Sequence, residues 1–223
     1  MPEKKYHNTL SFNEKYRFWL ILLTAALLVE IPFISLPLKW FESYFHEISH
    51  GLAALLTGGR IINIQLFPNG AGLCATQGGS RFFISFFGYA GAVFWGVVIY
   101  YFAGMHQRIA QVFSAVIIVL LLSTIIFWVR DLLSFVIMAV LLVIILLKFK
   151  LQNLRYFQLL LQLIGAAVLL NSIKSPWYLV DGRAMGDGAT LARLTMIPEF
   201  VWVCIWFALG ILGLIKLAKA RLI

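Results

Sequence analysis

Long apolar stretches dominate this chain, and the polar positions that interrupt them carry most of its information. The runs at about 81–103, 109–129, 132–148, 156–173 and 198–215 are nearly continuous in Leu, Ile, Val, Phe and Ala. Each approaches the roughly 20 residues that a helix needs to cross a bilayer. A sixth run, 18–38, is interrupted by Glu30, Pro32 and Pro37, where a helix bends or ends. The run WFESYFHEISHGLAALL, 40–56, is shorter and carries Glu42, His46, Glu47 and His50. The segment TGGRIINIQLFPNGAGLCATQGGS, 57–80, then changes character. Gly pairs bound it, and β-branched residues flank Pro68-Asn69-Gly70, which predicts two short strands at 61–66 and 71–76 around a turn. The pattern therefore predicts an all-α polytopic membrane protein. It has about six transmembrane helices, a short motif-bearing helix at 40–56 and a small β-hairpin, in one membrane-embedded domain spanning 1–223.

Composition agrees with this. Of 223 residues, 62% are hydrophobic and 12% charged, against roughly half and a quarter in soluble domains. The net charge of +9 does not point to nucleic acid. The basic residues sit in short loops and at both ends, where Lys and Arg set membrane topology. With six spans, the N-terminal flank (Lys4, Lys5, Lys15, Arg17), the loop KFKLQNLR and the C-terminal KLAKAR share one side, and positive-inside makes both termini cytoplasmic. The N-terminal run reads as an anchor that is retained. Cys74 and Cys204 make no disulfide framework.

The chemistry concentrates in FHEISHGL, 45–52. Residues four apart share a helix face, so His46 and His50 can present ring nitrogens to one ion. Glu47, beside them, can reach a water on that ion. Two imidazoles and a carboxylate at this spacing are the zincin arrangement of metal ligands and general base. Ionisable residues inside an apolar helix require a metal or a wet cavity to justify them. Catalytic zinc usually has three protein ligands. The tail residues Glu3, His7 and Glu14 lie far from the motif, and His106 and Asp131 sit in tight loops beside basic residues. Glu42 reads as a supporting or surface group, Glu199 as a helix-start carboxylate, and Glu30 as either a hydrogen-bond partner of a motif histidine or an interfacial group near Lys39. Asp181 and Asp187 remain, on the same membrane face as the hairpin.

FHEISHGLAALLTGG, followed by PNGAG and then FFGYAGAVFWG, resembles the site-2 protease superfamily of intramembrane zinc metallopeptidases, in its M50B-like branch. The resemblance is strong over 40–104, moderate over 171–203 and silent between. It implies a third ligand from an Asn…Pro…Asp-Gly element. Asn171, Pro176 and Asp181-Gly182 keep that order at looser spacing, which puts Asp181 first. Asp187-Gly188 is the rival, because it leads directly into the next helix. Gly88, Gly91 and Gly96 are small residues expected to pack on the motif helix.

These readings imply a zinc metalloprotease acting on membrane-anchored protein substrates within or beside the lipid bilayer, with Zn2+ on His46, His50 and Asp181 or Asp187, and Glu47 as base. The alternative is a non-proteolytic membrane binding or chaperone-like factor that keeps the zinc site. A transporter should show paired halves with matching interrupted helices, and the sequence offers none.

Overall fold

The structure is a computed structural model that describes residues 12–147, 150 and 153–220. The expected positive-inside residues Lys4, Lys5, Lys148 and Arg221 lie outside the described residues, as do Glu3 and His7. The described chain runs α1 (Phe12–Leu28), α2 (Ser35–Leu56), β1 (Arg60–Leu66), β2 (Gly72–Gln77), α3 (Arg81–Gly104), α4 (Gln107–Trp128), α5 (Leu132–Leu146) and α6 (Leu154–Lys174). A 3₁₀ turn at Ser175–Leu179 follows, then α7 (Asp187–Thr195) and α8 (Glu199–Lys219).

Four of these are long and apolar enough to cross a membrane: α3, α4, α6 with its 3₁₀ extension, and α8. The expected count of six spans is met only in part. α5 is a 15-residue apolar helix, about 22 Å long, short of the ~30 Å hydrocarbon core. The run 18–38 does not form one helix. α1 ends at Leu28, the chain turns through Glu30 and Pro32, and α2 begins at Ser35 with Pro37 in its first turn. Proline is tolerated in a first turn, where its missing N–H has no intrahelical partner to lose. The motif helix is thus longer than the 40–56 expected from sequence.

The hairpin forms where Pro68-Asn69-Gly70 predicts it. Its strands are antiparallel, with Ile64 opposite Cys74 and Leu66 opposite Gly72. Phe67 N–H donates to the Ala71 carbonyl at 2.8 Å, and Gly70 takes the positive φ of 88° that the turn requires. Side chains pin the hairpin to its neighbours. Trp40 Nε1 donates to the Phe67 carbonyl at 3.1 Å, and the Ser43 hydroxyl donates to the Gly70 carbonyl. On the other side, Leu66 N–H donates to Ser134 Oγ at 3.0 Å, and Gln65 reaches Asp131. The tip is therefore held between the N-terminal half of α2 and the start of α5.

His106 and Asp131 act as helix caps. They accept the amides of Arg108 (3.2 Å) and Ser134 (2.8 Å) at the starts of α4 and α5. One apolar cluster joins α2, β1, α3, α4, α5 and α6 through Phe45, Ile64, Ile99, Leu121, Met138 and Leu161. A second joins α1, α3, α6 and α8 through Ala25, Val93, Leu169 and Leu217. The outward faces stay apolar, with Phe94, Val119, Ile126 and Leu132 exposed, as suits contact with lipid.

α3 and α6 cross backbone to backbone. A Cβ on Gly165 would lie 2.6 Å from Tyr100 N and 2.9 Å from the Gly96 carbonyl, and one on Gly96 would lie 2.8 Å from Leu169 N. Gly96 therefore packs on α6, not on the motif helix as its spacing suggested. Because the obstacles are backbone atoms, side-chain rotation cannot relieve the clash. Gly165→Val should destabilise the bundle by about 1–3 kcal/mol or more. Thermal unfolding in detergent reads this, and an unchanged midpoint would mean that the helices do not cross this closely.

Candidate metal centre

α2 carries His46 and His50 on one face because four residues return a helix to the same side. Their Nε2 atoms lie 2.9 Å apart. The third member of the cluster is Asp187, whose Oδ2 is 3.3 Å from His46 Nε2 and 3.2 Å from His50 Nε2. Zinc bonds N and O donors at about 2.0–2.2 Å, so two donors on one tetrahedral ion stand about 3.3 Å apart. The three donor atoms here are 2.9–3.3 Å apart, close to that separation, and a tetrahedral ion held by three ligands has one position left. His50 Nδ1–H donates to the Ile84 carbonyl at 2.7 Å. In the neutral ring that puts the proton on Nδ1 and leaves the Nε2 lone pair for a metal, the arrangement that orients a ligating imidazole. His46 is held by the edge of Tyr89, with ring centroids 4.4 Å apart.

Asp187 owes its place to the short helix it begins. Gly186, at φ 91°, turns the chain into α7. Leu191 then plugs into a cluster with Trp202, Trp206, Phe82 and Phe86 from α8 and α3. Burial alone would raise the Asp187 carboxyl. The two imidazoles beside it outweigh that and hold it well below the usual carboxylate range.

The two candidate aspartates are separated clearly. Asp181, placed first on sequence order, lies on an exposed turn and is bound by its near neighbour, accepting from the Arg183 backbone N–H at 2.9 Å and from its guanidinium. That pairing holds its carboxyl below the ordinary range. Among the described residues, the cluster that could hold a metal ion is His46, His50 and Asp187. Glu30 is exposed and pairs with Lys174, not with a motif histidine.

Glu47 stands on the flank of α2 between the histidines and the hairpin, within electrostatic reach of His46, His50 and Asp187. It is buried, and the backbone of Cys74 faces its carboxylate. Gly72 makes room for it: a Cβ there would fall 2.6 Å from Glu47 Oε1. Glu42, one turn earlier, is also buried and accepts from Ser175 Oγ at 2.9 Å. His46, Glu47, Glu42, Ser175, Tyr89 and the Gly70–Gly72 turn line a cleft of about 280 Å³. The hairpin turn and the start of the 174–196 segment thus line the cleft beside the motif together.

Several residues of this site were not visible as such in the sequence. Gly88 was read as packing, yet it sits directly on the cluster. A Cβ there would lie 2.5 Å from His50 Nε2 and 2.8 Å from His46 Cε1. Gly91 does pack on α2, against Ser49. Tyr89 stands in the same GYAG stretch, and an aromatic among small residues on a packing face is a signal that sequence could have supplied.

Fold and site together have the make-up of a membrane peptidase. The family model described as Peptidase M50B-like matches residues 19–216. The chain belongs to this family, as its resemblance to site-2 proteases implied. No curated protein and no solved structure matches it.

The two aspartates should separate equally clearly by metal titration of the purified chain. Asp187→Asn should lower zinc affinity at least about tenfold, since even residues that only support ligands are worth 10- to 100-fold. Asp181→Asn should bind as the unaltered chain does. Equal affinity in the two variants would place the carboxylate ligand elsewhere.

Proposed function

We propose that the chain is a membrane-embedded zinc metalloprotease that hydrolyses peptide bonds in or near membrane-anchored protein substrates. One observation carries this reading: the donor atoms of His46, His50 and Asp187 converge within 2.9–3.3 Å of one another, and Glu47 shares with His46 the cleft beside them. Membership of a peptidase family supports it. The donor set of two imidazoles and one carboxylate is that of hydrolytic zinc sites. Zinc, when bound, supplies a water acidic enough to ionise near neutral pH and polarises the substrate carbonyl.

The chain's own residues do the rest. Glu47 accepts the water's proton and returns it to the leaving nitrogen. Its burial against Gly72 and Cys74 keeps bulk water from competing for that proton. The hairpin backbone beside it offers a surface along which an extended peptide can lie. The orientation we propose has both termini on the cytoplasmic side, from the basic flanks.

Glu47→Gln tests the reading. The amide is nearly isosteric and is not a metal ligand, so zinc content should stay at about one per chain, the complement of one three-ligand site. Cleavage of any membrane-anchored substrate should fall roughly 100- to 10,000-fold with loss of the general base. His46→Ala and His50→Ala should lose both zinc and cleavage. Wild-type cleavage by Glu47→Gln would remove Glu47 from the chemistry. A cellular phenotype that survives Glu47→Gln but not His46→Ala would instead mark a membrane binding factor with a structural zinc.

A further inference from the structure

We infer that Tyr89 is a catalytic residue whose hydroxyl donates a hydrogen bond to the substrate carbonyl oxygen as that oxygen gains negative charge. The inference rests on the metalloprotease reading and adds an oxyanion-stabilising donor to it. A developing oxyanion is best met by a donor fixed in place before reaction. The cleft offers few. Ser43 gives its hydroxyl proton to the Gly70 carbonyl, and Ser175 gives its own to Glu42. Glu42 and Glu47 are acceptors when ionised. Among the described residues, no Lys or Arg lines the cleft. Two tyrosines remain. Tyr178 is 76% exposed, at the mouth. Tyr89 stands against the cluster itself, in ring contact with His46. Among the described residues its hydroxyl has no hydrogen-bond partner, although Asp187, Glu42, Glu47 and Glu199 all lie within its electrostatic reach. A tyrosine hydroxyl carries one O–H that can be donated.

The ring is also held in place. Tyr89 packs between His46 and Trp206, whose centroid is 4.7 Å away, and Trp206 Nε1 donates to the Phe86 carbonyl at 3.0 Å. Two aromatic neighbours, one of them anchored to the backbone, restrict the side chain to one position before any substrate arrives.

The reaction balances with Tyr89 as a donor that never parts with its proton. The water oxygen bonds to the scissile carbonyl carbon while Glu47 takes one water proton. The C=O π pair moves onto the carbonyl oxygen, where the Tyr89 O–H meets it. That pair then re-forms C=O, the C–N bond breaks, and the nitrogen keeps the bonding pair and takes the proton from Glu47. The products are a carboxylic acid and an amine.

Tyr89→Phe removes one oxygen and keeps the ring contacts. The test uses the zinc-loaded full chain in detergent and two probes with the same Leu side chain. One is a Phe-Leu phosphinic pseudodipeptide, whose second phosphinyl oxygen mimics the oxyanion. The other is a mercaptoacyl-leucine, which has no such oxygen. Tyr89→Phe should weaken phosphinate binding about 100-fold, the usual loss for one oxyanion donor, and leave zinc content and thiol binding unchanged. Unchanged phosphinate affinity would overturn the assignment. Equal weakening of both probes, or loss of zinc from the variant alone, would show that Tyr89 only supports His46 and would overturn it too. Failure of the unaltered chain to bind zinc or the thiol would overturn the metalloprotease reading, and this inference with it.

Discussion

Polar groups taken into an apolar bundle must find partners there, because neither lipid nor hydrocarbon side chains supply any. α2 brings three ionisable groups of the motif into such a place, and much of the surrounding structure answers that demand. His50 gives its Nδ1 proton to a carbonyl of α3. The two Nε2 atoms face a carboxylate from α7. Glu47, on the flank of the helix, lies against the hairpin backbone. A hairpin, a broken connection after α6 and a short helix lying across α3 would be odd inclusions in a plain helical bundle. The hairpin faces Glu47, α7 brings Asp187 to both histidines, and the connection after α6 brings Ser175 to Glu42.

α3 is the other half of this arrangement. Its early glycines admit the imidazoles and Ser49 of α2, and Gly96 admits the backbone of α6. One helix therefore sets both the depth at which the histidines sit and the distance to α6, whose extension carries Ser175 to Glu42. The aromatic face of α3, through Phe82 and Phe86, also receives Leu191 and the two tryptophans that fix α7 and α8. The position of Asp187 is thus referenced to the same helix as the histidines it faces.

The helices, the hairpin and the histidine pair could be read from local pattern, because apolar run length, Gly and Pro punctuation and four-residue spacing are properties of short windows. Two kinds of feature could not. The first is where a long apolar run breaks. Glu30 and Pro32 marked the place, but Pro37 looked like a second stop and proved to be a tolerated first-turn residue of α2. The second is which distant residue completes the cluster. Motif order favoured Asp181, and only the path of the loop, set by Gly186 and by Leu191 finding its aromatic pocket, brings Asp187 to the histidines. Arg183, two residues after Asp181, held a clue, since a guanidinium so near claims a carboxylate for itself. Tyr89 was hidden for a different reason: GYAG marks an aromatic on a packing face, but its partner histidine lies on another helix, and nothing within α3 says which residue it meets.

The cluster is assembled from opposite ends of the chain. His46 and His50 come from the second helix, and Asp187 from a nine-residue helix that leans on α8. α7 has too few residues to hold its position alone, so its carboxylate is placed only once Trp202 and Trp206 of the last helix are packed behind it. During synthesis, the histidine pair is therefore made long before its third partner exists. A nascent chain still emerging from the ribosome holds an incomplete set of donors, and the cluster closes only when the final helix docks.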